Sequence, residues 1–410
     1  MTARSMFRVV ALRRSVPMVV AAGCLIGAIS FGSRSTMGFF LTPMTTENGW
    51  SRETFALAIA IQNLMWGVAQ PFAGMIADKF GTARVLSGGA LVYALGLALM
   101  SQTSDAVVLQ LTAGVLVGLG IAGSAFVLVL AAFARLLPER MRSLAYGMGT
   151  AAGSAGQFIF APLSQGFIQH YGWQTALLIM AAIMLVVPFL SSALRGKPKA
   201  VPAGGGEADQ SIPEALREAF RHRSYQLLVA GFFVCGFQLA FVTVHLPPYL
   251  SDLGIPAVYG GYALALIGGF NIIGSLTSGV LSGRMPRRIL LSIVYFLRSL
   301  VIVFFVLTPA SPASVLIFSA SMGFLWLSTV PPTQQLVAIM FGTRYMATLF
   351  GFVFLSHQLG SSLGVWLGGR LYDATGSYNV VWWLSAALGI FAAIVHLPIR
   401  ETRILRPAMA

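Results

Sequence analysis

Charge is scarce in this chain. Only 9% of its 410 residues are Asp, Glu, Lys or Arg, against 57% apolar residues, whereas soluble domains carry about 25% charged residues. That shortage excludes an ordinary water-soluble globular protein. Cysteine is scarcer still: Cys24 and Cys235 are the only two. Both lie within apolar stretches, so they read as buried thiols and not as a disulfide or a metal site. The sequence shows no cluster at metal-ligand spacing, no phosphate-cradling glycine loop and no nucleophile–base pair. No metal, no cofactor and no enzymatic chemistry are therefore expected.

What is present in quantity is apolar sequence, with 29 Phe, 44 Gly and 19 Pro and a mean hydropathy of +0.81. Gly and Pro at that level suit helices that pack closely in lipid and are locally broken. A bilayer-crossing helix needs about 20 mostly apolar residues. Twelve stretches qualify: 16–41, 55–76, 83–101, 107–133, 143–168, 173–194, 225–250, 257–282, 288–308, 313–338, 345–371 and 379–398. The basic N-terminus resembles a signal peptide, but the apolar run continues without a plain cleavage site and is expected to be a retained first span.

A polar segment, 195–224, separates spans six and seven. Ser211 followed three residues later by Glu214 is a capping-box signature for a short amphipathic helix within it. The net charge of +14 does not point to nucleic acid, because the basic residues occupy short loops between apolar runs. Of the 26 Lys and Arg, all but Arg34, Arg52, Arg298 and Arg370 fall on the side that holds both termini and the linker. That bias predicts cytoplasmic termini. Glycines recur at nearly one offset, Gly147 with Gly351, Gly156 with Gly360, Gly172 with Gly376 and Gly74 with Gly279. The expectation is an all-α membrane protein of twelve transmembrane helices in two six-helix bundles, 1–194 and 225–410, joined by the linker 195–224.

Two motifs carry a family resemblance. Gly74-Met-Ile-Ala-Asp78-Lys79-Phe80-Gly81-Thr-Ala-Arg84 resembles the loop signature of the major facilitator superfamily. The resemblance implies a charge latch built from Asp78, Lys79 and Arg84. In the second half, Gly279-Val-Leu-Ser-Gly283-Arg284 has glycine where the acid would stand. Within the superfamily, Phe31-Gly-Ser-Arg34-Ser-Thr-Met-Gly-Phe39-Phe40 and Gly49-Trp50-Ser51-Arg52 are similar to motifs of the monocarboxylate transporters and the oxalate/formate exchanger group. That group places an arginine in span eight, where this chain has Ser275 and, further upstream, Asn271. Its second-half arginine is Arg298, in span nine.

All twelve acids lie outside the middle of every span, so Arg34 and Arg298 have no intramembrane carboxylate. An Arg at a helix centre costs on the order of 2.5–3.5 kcal/mol by insertion scales and normally faces the bundle or a wet cavity. An anionic substrate would supply the missing charge, since guanidinium matches a carboxylate in two parallel hydrogen bonds. Alternatives stay open: Arg34 snorkelling to the interface, and Arg298 bracing backbone carbonyls.

Gln62, Trp66 and Gln70 share one face of span two, with Asn63 adjacent, either as a substrate face or as interhelical glue. His245, His357, Gln358, Asn271 and Gln334 are further substrate-site candidates. The two histidines are also the available proton carriers. Pro331-Pro332 should kink span ten.

The function expected is a multi-pass secondary transporter of small organic anions, with monocarboxylates the leading class, in a bacterial inner membrane. It would work as a monomer by alternating access, with proton coupling as symport or antiport. A drug-efflux pump of the same fold is the alternative.

Overall fold

The computed structural model describes residues 16–137, 139–195, 211–342 and 345–403. It is helical almost throughout, with no strand among the described residues. Ten helical stretches are long and apolar enough to cross a membrane. One of them, Ala151–Leu194, is broken at Gly172, whose φ of 79° lies in the left-handed region open to glycine, so it carries two passes. Met346–Thr375 makes a further pass of 30 residues; His357-Gln358 and Ser361-Ser362 make its middle too polar for that count. The twelve spans expected from sequence are accounted for.

Three spans are discontinuous. Span one is helical over Val16–Ser35, tightens to a 3₁₀ turn at Met37–Phe40 and resumes over Leu41–Asn48. It therefore runs past residue 41, and Arg34 sits about 20 Å from its far end at roughly 1.5 Å per residue. That is too deep for the snorkelling alternative. Span four contains a π-helical turn, Gln110–Leu116, and an extended residue, Ala125. Span ten consists of Pro312–Leu325 and Val330–Phe341. Its break precedes Pro331-Pro332. The prolines occupy the first turn of the resumed helix, where a missing N–H costs nothing.

Buried apolar side chains form two large clusters. One draws on the first six spans plus Ala240, Val244 and Val365; the other draws on the last six plus Phe39, Ala161 and, from the segment between spans six and seven, Ala219. Large apolar residues such as Phe189, Phe304 and Ile317 are exposed, as lipid-facing residues are. The glycine repeat is visible in the packing. Gly156 seats against the Ala28 carbonyl and Gly360 against the Phe233 carbonyl, the same contact one repeat apart. Gly376, the repeat mate of Gly172, also has positive φ, 69°.

The capping box forms as expected. In the linker helix, Ile212–Arg221, Glu214 Oε2 accepts from both the N–H and the hydroxyl of Ser211, each at 2.8 Å. These bonds hold the Glu214 carboxyl below its usual range.

The first and last six spans meet along a seam that runs from the membrane face away from the linker, here called the far side, to mid-membrane. Glycines let the helices approach closely there. A Cβ on Gly369 would stand 2.6 Å from Ala56, and one on Gly67 2.7 Å from Gln358. One on Gly268 would stand 2.8 Å from the Ser154 carbonyl, and Gly38 abuts the carbonyls of Thr243 and Val244. At the linker-side ends, Gly74, Gly279 and Gly351 have no atom of the described residues within 4 Å of such a Cβ.

Candidate functional site

The far side is closed by ions. Span two, Arg52–Phe80, begins with Arg52, whose Nη1 and Nη2 donate to both oxygens of Asp252 at the end of span seven, at 2.8 and 2.6 Å. Arg52 Nη1 also donates to the Tyr378 hydroxyl (2.9 Å), and the guanidinium lies 3.8 Å from the Tyr372 ring centroid. Asp373 accepts the backbone N–H groups of Arg52 and Glu53, at 3.1 and 2.7 Å. A carboxylate at a helix N-terminus is favourably placed. Glu53 in turn accepts from Arg370 (3.0 Å) and from Trp366 Nε1 (3.1 Å). Every one of these contacts joins the first half to the second.

Deeper along the seam the bonds are neutral. Ser362 donates to the Ala60 carbonyl at 2.9 Å, and Gln157 to the Leu264 carbonyl at 3.3 Å. Asn271 donates to Ser154 Oγ at 2.8 Å, while its Oδ1 accepts from Ser275 and from the Leu327 N–H.

Arg34 lies at the centre. Nη2 donates to Asn63 Oδ1 at 2.7 Å, and the guanidinium stands 4.7 Å from the Trp66 ring centroid, a cation–π distance. It lines a void of about 10 Å³ with Met37, Ile59, Gln62, Asn63 and, from span seven, Ala240, Thr243 and Val244. Arg34 therefore faces the seam between the halves. None of its hydrogen-bonded partners among the described residues is a carboxylate.

A row of rings leads away from it. Trp66 meets Phe354 edge-on at 5.3 Å, and Phe354 stacks on His357 at 5.7 Å. His357 bonds to Gln358 Oε1 at 3.1 Å. Trp66 Nε1 donates to Gln70 at 2.8 Å, whereas Gln62 is turned to the Ala113 carbonyl of span four at 2.8 Å. Of the shared span-two face, Trp66 and Gln70 join the row, and Gln62 bonds to a neighbouring helix while still lining the void.

Arg298 is placed differently. It is fully buried, and its Nε and Nη2 donate to the Leu325 carbonyl at 3.1 and 2.7 Å; Nη2 also donates to the Trp326 carbonyl and Nη1 to Cys235 Sγ. With Asn271 on the Leu327 N–H and Ser278 on the Ser328 carbonyl, the break in span ten has its freed backbone groups met by side chains. This is the bracing alternative, with lipid-depth backbone re-satisfied from neighbouring helices.

His245 is also fully engaged. Nε2 lies 2.8 Å from the Val365 carbonyl and Nδ1 3.2 Å from the Tyr378 hydroxyl. Gln334 is half-buried in the resumed part of span ten. Of the loop latch, Lys79 lies over the Phe80 ring and Arg84 donates to the Phe80 carbonyl at 3.3 Å; the Asp78 side chain lies outside the described residues. A separate cavity of about 440 Å³ opens on the far side, where Glu47, Gln165, Pro247 and Ser251 are among its lining.

Sequence reasoning missed the far-side ion cluster. Its only signal was Arg52 in Gly49-Trp50-Ser51-Arg52 and two acids, Asp252 and Asp373, at predicted span ends. Asn63 was noted only as a neighbour, and it is the residue Arg34 bonds.

The comparisons with known proteins agree with this architecture. The family model described as Major Facilitator Superfamily matches residues 23–365. The chain is 26% identical to the Uncharacterized MFS-type transporter YcxA of Bacillus subtilis, over 87% of this chain and 88% of that one. It is 27% identical to Monocarboxylate transporter 13 of Bos taurus, over 92% and 89%. Among solved structures, a bacterial homologue of the human lysosomal transporter Spinster, in an inward-facing and occupied conformation, superposes with a TM-score of 0.73 at 14% identity, covering 92% of this chain and 95% of that one. With twelve helices, a far-side seam and a model match across most of its length, this chain belongs to the major facilitator superfamily of membrane transporters.

Proposed function

We propose that this transporter carries small organic anions, with monocarboxylates the simplest class, by alternating access. Residues 1–194 and 225–410 are the two rocking bodies, and 195–224 is the linker between them. The observation that carries this reading is Arg34. Its guanidinium lies mid-membrane, faces the seam, and has an amide and an aromatic ring where a counter-charge is needed. A carboxylate entering from the open side would provide that charge in a paired hydrogen bond. Arg298 has no such need, because backbone carbonyls already occupy it.

The lopsided Lys and Arg distribution supports a cytoplasmic linker and termini, in a bacterial inner membrane. The far-side closure then corresponds to an inward-facing state, and a single chain holds the whole path. The row from Trp66 to His357 suits a cargo with an apolar portion, the feature that favours the efflux alternative. A cation at the seam with no carboxylate beside it favours anions over the cationic compounds of that alternative. Proton coupling, where present, falls to His357, which is half-buried and joined to the row.

The test is uptake of labelled acetate, lactate, pyruvate and benzoate into proteoliposomes. Arg34→Ala should lower uptake at least 100-fold while the protein still purifies as a folded species. That factor is the loss of about 3 kcal/mol of charge-assisted bonding. Wild-type uptake by that variant would remove Arg34 from the site.

A further inference from the structure

We propose that the far-side cavity is a second binding site, separate from Arg34, that takes an organic ammonium ion with an apolar body, and that its occupant holds the far side closed.

The cavity measures about 440 Å³, within the roughly 300–1,000 Å³ of small-molecule sites. Local sequence shapes it. In the resumed part of span one, Leu41–Asn48, Thr42 and Thr46 stand one turn apart on one face, and both line it, as does Phe39 from the preceding 3₁₀ turn. Span five adds Gln165, and span seven adds Pro247, Pro248 and Ser251. Those prolines have no N–H to give to the carbonyls four residues back, and the carbonyls of Thr243 and Val244 face Gly38 instead. That contact is a partition. Gly38 borders the cavity, Thr243 and Val244 border the void at Arg34, and no residue lines both.

The charge of the lining is one-sided. It contains Glu47 and no Lys, Arg or His among the described residues. The Glu47 carboxylate accepts from Trp173 Nε1 at 2.6 Å and from Gln174 Nε2 at 2.7 Å. Neither donor carries a charge, and together they use two of about four lone-pair positions. An ammonium group supplies the cation in a charge-assisted bond. The hydroxyls of Thr42, Thr46 and Ser251 offer further acceptors, and Phe39, Pro247 and Pro248 give its apolar body a wall. An anion meets only repulsion from Glu47, so this site does not serve the cargo assigned to Arg34.

Both halves wall the cavity. Motion that parts the seam draws spans one and five away from span seven and dismantles the site. An occupant therefore prefers the closed far side and shifts the population toward it. It brakes transport whatever the cargo.

The probe is phenethylamine, with uncharged 2-phenylethanol as its control, titrated calorimetrically into the purified full chain. Wild type should bind the amine at least tenfold more tightly than the alcohol. Glu47→Gln should lose about tenfold in amine affinity, and Ser251→Trp, which fills the cavity without touching Glu47, should abolish binding. Arg34→Ala should bind the amine as wild type does, even if Arg34 proves to have no part in anion transport. Bound amine should also slow amide exchange at 52–58 and 366–373 several-fold. No amine bound by wild type, or wild-type affinity in both Glu47→Gln and Ser251→Trp, overturns the site. Amine affinity lost in Arg34→Ala overturns its separateness, and unchanged exchange with amine bound overturns its hold on the far side. The source of the ammonium is read by repeating the titration in nanodiscs of phosphatidylethanolamine and of an uncharged galactolipid. Weaker amine binding in the former assigns the occupant to the lipid headgroup, and equal binding to a soluble amine.

Discussion

Arg52 and Asp252 meet across the seam through two nearly parallel hydrogen bonds, 2.8 and 2.6 Å long, with side chains only 14% and 29% exposed. The pair is 200 residues apart in sequence and belongs to opposite halves. The same Arg52 lies on Tyr372 and bonds Tyr378, so one guanidinium gathers the far-side ends of spans seven and eleven.

Breaking that pair should loosen the far side without unfolding either half. Asp252→Asn keeps the shape and removes the charge, a loss of about 1 kcal/mol for a partly exposed pair. Amide exchange at 52–58 and 366–373 should speed up several-fold in Asp252→Asn and in Arg52→Gln. The double variant should exchange no faster than either single one. Strict additivity would show that the two groups are not coupled.

The brace on span ten should behave as a stability element. Arg298→Ala leaves the Leu325 and Trp326 carbonyls without their donors, a cost of about 3 kcal/mol. A large fall in melting temperature is expected, partly recovered by Arg298→Lys, which keeps a donor but loses the fork. Carboxylate affinity of the folded fraction should stay within about twofold of wild type. A selective loss of affinity with normal melting would return Arg298 to the substrate site.

The two mid-span histidines should separate by pH profile. His245 has a carbonyl at one nitrogen and a hydroxyl at the other, an arrangement a neutral ring satisfies and a proton would disrupt. His245→Gln should lower the melting temperature and leave the pH dependence of uptake in place. His357→Gln should shift or flatten that dependence, because His357 connects through Phe354 and Trp66 to Arg34. Identical profiles for wild type and His357→Gln would exclude His357 as the proton carrier.

The linker helix gives a pH prediction with a definite sign. Glu214 is held below its usual range by the Ser211 bonds, so its contribution is present above the unfolded-state value of about 4.3. It is lost as pH falls through the lower, folded-state value. At neutral pH, Glu214→Ala should speed amide exchange across 212–221. In acid below both values the variant and wild type should exchange alike once the intrinsic pH dependence is divided out. A difference that persists in acid would show that the carboxylate is not its source.

Much of the fold was legible because it is local. Apolar run length gave the spans, and Ser211 with Glu214 marked the linker helix. The end of span one was misplaced because Thr45, Thr46, Glu47 and Asn48 look like a loop, and only tertiary packing makes them helical. The site was legible in part. Arg34 stands out because no acid shares its depth. The use of Arg298 does not, since the carbonyls it meets are exposed by a break that its own helix does not encode. The pairing of Arg52 with Asp252 was invisible for a related reason: local sequence has no means of registering contacts between chain segments 200 residues apart.

The glycine seam has a mechanical consequence. At Gly38, Gly268 and Gly369 one surface offers bare backbone to the other, so few bulky side chains have to be withdrawn from sockets there when the halves part. Resistance to parting then lies in the charged rim and in the hydrogen bonds that Ser362, Gln157 and Asn271 make across the joint. Opening then requires that rim to exchange its ion pairs for water, and a bulky residue at one of these glycines would act as a wedge.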